Sequence, residues 1–489
     1  MRSTNEDPTL ANQAGERIPQ GELAPDVLSR MEATSAGISY IGIVAAVFLV
    51  FGALASLSGG ALGFVLAAAA IGFAFHINTV AEFNKDMPSA GFYNTYIGRT
   101  FGNHVGALFA FIYSAGLVAI VGVVTMGVGL WVSNALASLT IVNYSHLPWW
   151  IPAVLAELLV VALLLRGVKF SVRVSATLVV FEVAVLVIGG IAMVIHNPSA
   201  VVHSGNTFNP TLIPNGVSGF GLAFTLAIFL FLGTSSSAPL AEEAKNPKKT
   251  IPFAVFAAAG IATVLYIFAA WAEQVGFRNN TTFLAKQTFP YITGVANAFH
   301  PLVYLMYLAG LTSALAVVIA SSNAISRVWY SMGRDGLFPK AMGSVDPRTR
   351  VPRFSILVSA GVASALFLVF GGIAGGGFSV ATGYAAYAEL ATVGTDFVIL
   401  VFMVTNVALI VHELRNHAGE VRWARRIVAP VIGAIIFVYP FWESVKPTQP
   451  RPYNWFGAVL VGFLIVGSIY ARIVVRRGAV LGSQAGLER

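Results

Sequence analysis

Four carboxylates stand inside long apolar runs: Glu157, Glu182, Glu389 and Asp396. Hydrocarbon disfavours an ionised acid, so each is a candidate for proton or ion chemistry before it is anything else. Burial favours the protonated form, which suits a proton relay. The alternative for each is a structural hydrogen bond, and that reading is strongest for Glu157, while Glu389 falls near a run's mouth. Two adjacent hydroxyls, Thr312 and Ser313, could supply hard oxygen ligands to a small cation such as sodium, or could back-bond to their own helix. His76 sits mid-run and reads as a hydrogen-bonded core histidine.

Two apolar segments carry small and hydroxylic residues where a helix would be weakened. The first is Phe51-Gly52-Ala53-Leu54-Ala55-Ser56-Leu57-Ser58-Gly59-Gly60, and the second is Phe231-Leu232-Gly233-Thr234-Ser235-Ser236-Ser237-Ala238-Pro239. An interrupted helix frees backbone N–H and C=O groups, which are tolerated at membrane depth only beside a polar cavity or protein. Half-helix N-termini attract a carboxylate, and freed carbonyls attract an ammonium or a sodium ion. In the first segment close helix packing is an equally good explanation. In the second, four consecutive hydroxyls followed by Pro239 point to a true break. Tyr113, Thr234, Ser235 and Asn323 are the side chains expected to set specificity.

The elements that hold these residues are membrane helices. The chain is 57% hydrophobic and 10% charged, against roughly 25% charged in soluble domains. About 20 apolar residues cross a bilayer, and runs of that kind fall near 39–58, 61–83, 105–137, 149–165, 174–195, 217–241, 251–272, 302–328, 354–372, 384–412, 427–445 and 454–474. These predict an all-α membrane protein with twelve transmembrane helices. With residues 1–36 as a cytoplasmic tail, only Arg278, Lys286, Lys446 and Arg451 of the 29 Lys and Arg residues fall outside, a strong positive-inside bias. That bias predicts cytoplasmic N- and C-termini. Trp149 and Trp150 suit an interfacial anchor at the outer start of the fourth helix. The chain has no cysteine, and no P-loop, metal-ligand spacing or nucleophile–base set is present. No cofactor, certain metal site or nucleic-acid partner is expected, and an enzyme is disfavoured.

Three motifs carry a family resemblance. Glu242-Glu243-Ala-Lys245-Asn246-Pro247-Lys-Lys-Thr-Ile251-Pro252 follows the sixth run, Arg327-Val-Trp-Tyr330-Ser-Met-Gly-Arg334-Asp335-Gly336-Leu-Phe-Pro339 follows the eighth, and Met87-Pro88-Ser-Ala-Gly91-Phe-Tyr93 follows the second. In type and order they resemble loops of the amino acid–polyamine–organocation (APC) permeases over roughly residues 35–475. The resemblance implies a LeuT-like five-plus-five inverted repeat with two additional helices. Residues 37–200 would form the first repeat, 201–413 the inverted second, and 414–489 the last two helices and tail. It also implies alternating access around helices one and six. Glu182 lies at about the level where some proton-coupled members carry a lysine, and Thr312-Ser313 resembles the hydroxyl pair that helps bind sodium in sodium-coupled relatives. The sequence departs from the family at Gly52–Ser56, where a Gly-Ser-Gly-Ile-like break is usual, and at Thr234 and Ser235, where an aromatic and an acid are usual.

The resulting expectation is a multi-pass plasma-membrane secondary transporter, a symporter for amino acids or related small amines, driven by H⁺ or Na⁺. Substrate would meet Gly52, Ala53, Ala55, Ser56, Tyr113, Gly233, Thr234, Ser235, Ser236 and Asn323. Glu182, Thr312, Ser313 and Asp396 would serve the coupling ion. Alternatives are an amine exchanger, or a non-transporting sensor or channel-like protein on the same scaffold.

Overall fold

The computed structural model describes residues 23, 25–138, 147–374, 377–416, 421–449 and 451–482. Most of the expected N-terminal tail lies outside them. The described residues form sixteen α-helices and no sheet, only an isolated bridge between Leu28 and Ala244. In chain order the helices are α1 (Arg30–Ile41), α2 (Ile43–Ser58), α3 (Leu62–Asp86), α4 (Tyr93–Phe101), α5 (Asn103–Ser138), α6 (Trp150–Leu164), α7 (Val168–His196) and α8 (Gly216–Phe231). They continue with α9 (Pro247–Gly276), α10 (Thr281–Leu284), α11 (Pro290–Phe299), α12 (Leu302–Arg334), α13 (Arg353–Val369), α14 (Val380–Asn416), α15 (Ala429–Val445) and α16 (Phe456–Arg476).

Eleven helical spans among the described residues are long and apolar enough to cross a membrane, with α1–α2 counted as one and α8 together with the 3₁₀ turns that follow it as another. The remaining expected crossing, α6, is apolar but only 15 residues long, about 22 Å at 1.5 Å per residue. Local signals set the ends. Ser29 and Glu32 form a reciprocal capping box at the start of α1, so this helix begins before the apolar run that announces it. Pro247 and Pro290 stand at the first turns of α9 and α11, where a missing N–H costs nothing.

Burial separates centre from rim. The apolar window of the first span is 83% buried, whereas that of α16 is 22% buried and faces outward with Val461, Ile465, Val466 and Ile469. Trp149 corrects the anchor expectation. It is fully buried, because Gly371 and Gly383 leave a slot for its indole and Gly129 leaves room for its backbone carbonyl. Trp150 keeps the half-exposed position.

Candidate functional site

The first broken helix is interrupted at Gly42. Its φ of 56° and ψ of 57° are left-handed, and a Cβ there would stand 1.9 Å from Val317 Cγ2. Conformation and space both demand glycine. The next free donor, the Ala45 N–H, is taken by Ser313 Oγ at 3.0 Å. The break therefore lies nine residues before the stretch the sequence suggested, which begins at Phe51. Gly52, Ala53, Ala55 and Ser56 are in the regular helix α2, so they free no carbonyls for a ligand. Ser56 back-bonds to Ala53 O at 2.7 Å. Gly52 is small for packing: a Cβ would meet the Thr288 and Gln287 carbonyls at 2.5 and 2.6 Å. Ala55 is buried against Phe277 and Leu284.

The second break falls where the hydroxyl run placed it. After Phe231 the chain tightens into 3₁₀ turns over Leu232–Ser235 and Ala238–Glu243. Two freed carbonyls find partners. Tyr266 OH donates to Leu230 O at 3.0 Å, and Thr234 Oγ1 donates to Phe231 O at 2.9 Å. Ser236 Oγ and Ser237 Oγ are buried with no protein partner. A Cβ on Gly233 would lie 2.5 Å from Ile41 N and 2.6 Å from Tyr40 C. The two breaks thus touch backbone to backbone, and only glycine permits that approach.

Cavities flank this contact. One of about 50 Å³ is lined by Tyr40–Gly42, Ala45, Val317 and Gly233. Another, of about 20 Å³, is lined by Tyr40, Tyr93, Tyr113, Ser235 and Ser236. These are water-sized. Beyond them opens a cavity of about 540 Å³ bordered by Gly52, Ala53, Ser56, Lys286, Thr395 and Ser444. Leu49, Val50, Phe229 and Tyr387 border both it and the 50 Å³ space, and so partition them.

The titratable residues fall into separate groups. Glu182, buried on α7, is hydrogen-bonded by Ser313, the same hydroxyl that receives the Ala45 N–H. One of its oxygens has no partner. Ser313 and Glu182, suspected on separate grounds, are thereby joined to the first break. Thr312 is not: its hydroxyl back-bonds to Ala309 O at 3.0 Å. Asp396 is buried elsewhere, on α14, and accepts from Ser444 Oγ at 2.9 Å. Glu157 accepts from Thr125 at 2.9 Å. Asn323 does not line these cavities; its Oδ1 accepts from Arg327 at 2.8 Å.

His76 is the hydrogen-bonded core histidine expected, and the structure adds its partners and a further buried acid. A buried chain runs from Asn406 Oδ1 to His76 Nδ1 (3.2 Å), from His76 Nε2 to Tyr93 OH (2.7 Å), and from Tyr93 to Ser235 (3.3 Å). It ties α3 and α14 to the second break, and its only hint was a polar residue at mid-run. Glu273 is fully buried with both carboxyl oxygens unpartnered. It was passed over because the apolar run ends at Ala272.

At the end of the bundle where α1 starts, the three motifs converge. Arg327 and Glu243 form an ion pair of 3.0 Å, 1% and 0% exposed. Beside it, Arg334 and the Ala90 N–H both bind Glu242. The chain before α1 adds to the closure, with the Val27 and Leu28 N–H groups both on Glu243 O at 3.0 Å. These contacts tie the chain together at this end.

Comparison with known proteins agrees with this architecture. A family model described as "Amino acid permease" matches residues 37–475. The chain is 25% identical to the methylthioribose transporter of Bacillus subtilis (strain 168), over 90% of this chain and 92% of that one. It is 26% identical to the branched-chain amino acid permease BcaP of Lactococcus lactis subsp. cremoris (strain MG1363), covering 83% and 86%. It is 27% identical to the low-affinity putrescine importer PlaP of Escherichia coli (strain K12), covering 44% and 49%.

Proposed function

Because this chain belongs to the amino acid permease family, a multi-pass membrane family of transporters for amino acids and related solutes, we propose that it is a secondary active transporter working by alternating access. The observation that carries this reading is the contact between the two interrupted helices at Gly42 and Gly233. Broken helices meeting in the middle of a bundle supply unsatisfied backbone dipoles at one place. In this reading α6 completes twelve crossings, α1–α7 and α8–α14 form two inverted repeats, and α15 and α16 are additions. The end where α1 starts is cytoplasmic, so the 540 Å³ cavity opens outward.

The substrate's ammonium would meet carbonyls near Tyr40–Gly42, beside the second break, and its carboxylate the N–H groups of Ile43 and Val44 at the start of α2. Tyr113, Ser235 and Ser236 would frame the opposite wall. The surrounding wall carries Ala45, Ala46, Ile120, Val124 and Val317, and no acid stands at Thr234 or Ser235 to meet a second cation. Both features favour an amino acid with an apolar side chain. The names of relatives include a branched-chain amino acid permease, which fits that preference better than a diamine does.

Coupling to H⁺ or Na⁺ would act through Glu182 and Ser313, since Ser313 bonds the backbone of the first break and Glu182 bonds Ser313. Uptake of radiolabelled leucine into proteoliposomes, with pH and sodium gradients imposed separately, tests the reading. Gradient-dependent accumulation is expected. Equilibration without accumulation under both gradients, for leucine and for a panel of amines, would contradict it.

A further inference from the structure

A cavity of about 470 Å³ lies away from the two breaks, between α5, α13, α14 and α16. Its lining includes Phe111, Trp329, Phe338, Phe397, Phe463 and Tyr470. Two residues at its lips, Val362 on α13 and Val459 on α16, are 43% and 39% exposed. The opening between them therefore faces whatever surrounds the bundle. These helices are membrane spans, so what surrounds the lips is lipid.

The chemistry of the wall narrows the occupant. Its polar groups are already satisfied within the protein. Trp329 Nε1 donates to Ser114 Oγ at 2.7 Å, and Tyr470 OH donates to Leu337 O at 2.6 Å. Water needs two to four polar partners, so it gains nothing here. An empty cavity of this size forfeits the dispersion contacts of its whole lining. A flexible hydrocarbon chain supplies those contacts and asks for no hydrogen bond. A polar headgroup cannot follow it inside.

Charge at one end of the groove selects the headgroup. Phe338 and Tyr470 mark the end nearest the α1 start. Exposed Lys340 lies two residues after Phe338, and exposed Arg477 lies seven residues after Tyr470, on the same helical face. Neither makes an ion pair among the described residues. Each cation near a membrane surface favours an anionic lipid by about fivefold.

We propose that this groove is a binding site for one anionic glycerophospholipid, with an acyl chain between α13 and α16 and its phosphate on Lys340 and Arg477. The proposal rests on the membrane reading and on the orientation given above, not on the transported substrate. A failed uptake assay therefore leaves it intact.

Native mass spectrometry of the full chain, released from nanodiscs of equal phosphatidylglycerol and phosphatidylcholine with matched acyl chains, tests it. One phosphatidylglycerol should be retained, favoured over phosphatidylcholine by about thirtyfold. Lys340→Gln with Arg477→Gln should keep a retained lipid but bring the two classes to near parity. Val362→Trp, which sets an indole across the mouth, should cut retention by about tenfold. Val459→Trp, on the facing lip, repeats that test should the first variant fail to fold. Wild-type protein that retains no lipid, or equal retention of both classes by the wild type, would overturn the proposal. So would unchanged retention in a folded lip variant, or a second copy of the chain in place of lipid.

Discussion

Arg334 holds both oxygens of Glu242, with Nη2 at 2.9 Å from Oε1 and Nη1 at 3.1 Å from Oε2, and the Ala90 N–H adds a third bond of 2.9 Å to Oε1. Three loops that are distant in sequence therefore share one carboxylate. The pair is only 12% and 17% exposed, so it is screened less than a surface ion pair. Removing one charge should weaken the closed end by about 2 kcal/mol, which is a roughly thirtyfold change in the balance between open and closed forms. Arg334→Gln is expected to lower the initial rate of uptake at least fivefold in proteoliposomes. Exchanging the charges, Glu242→Arg with Arg334→Glu, should recover part of the loss. Wild-type rates in Arg334→Gln would show that the contact does not set the conformational balance.

Gly42 offers a test of the first break that needs no transport assay. Alanine there meets both a left-handed backbone and Val317, for a loss of about 2–4 kcal/mol. Gly42→Ala should lower the thermal midpoint in detergent by several degrees, and trimming the neighbour with Val317→Ala should return part of it. Gly52→Ala should also destabilise, through the Thr288 and Gln287 carbonyls, but Val317→Ala should give no rescue there.

The hydrogen bonds around Ser313 separate coupling from packing. Ser313→Ala leaves the Ala45 N–H and an oxygen of Glu182 without partners, a loss of about 1–3 kcal/mol. Glu182→Gln keeps a hydrogen-bonding group of the same shape but removes the titration. The pH dependence of uptake should flatten in Glu182→Gln while leucine still binds, and it should persist in Asp396→Asn. A pH profile unchanged in Glu182→Gln and flattened in Asp396→Asn would reverse the assignment.

Asp335 sets a pH dependence of stability. It stands just beyond α12, receives the Gly482 N–H at 2.9 Å, and is 5% exposed. Burial outweighs that hydrogen bond and the neighbouring Arg334, and pushes the carboxyl from 3.8 up to about 6. A raised carboxyl favours the folded state below its unfolded value, and that contribution is lost as pH rises through about 6. From pH 4 to pH 7.5 the wild type should therefore lose up to about 3 kcal/mol that Asp335→Asn does not lose. The thermal midpoint of the variant should rise relative to wild type across this range, and a constant difference would refute the shift.

The bundle was legible in the sequence because a bilayer demands unbroken apolar runs, and the helices follow those runs to within a few residues at most ends. The second break was legible because Thr234–Ser237 and Pro239 are poor helix formers in a row. The first was not. Gly42 is a single glycine between Ile41 and Ile43 and leaves no local trace, while Gly52 and the Ser58-Gly59-Gly60 helix end drew attention to the wrong turn. Asn323 reads as a pocket residue only if its i+4 neighbour on α12 is overlooked, since Arg327 takes its Oδ1 at 2.8 Å. Glu243 and Arg327 were each visible, but their pairing depends on packing across 84 residues.

If access alternates, the contact between the two breaks is reached by solute from each side of the membrane in turn. The chain has no cysteine, so Ser236→Cys, at a buried hydroxyl without a partner on the wall of the 20 Å³ cavity, is a clean reporter. The decisive measurement is labelling of that thiol by a membrane-impermeant maleimide from each face of sealed vesicles, with leucine and ion gradients imposed in either direction. Labelling is expected from both faces, with the favoured face reversing as the gradients reverse. Labelling from one face alone under every gradient, in a variant that still binds leucine, would contradict alternating access.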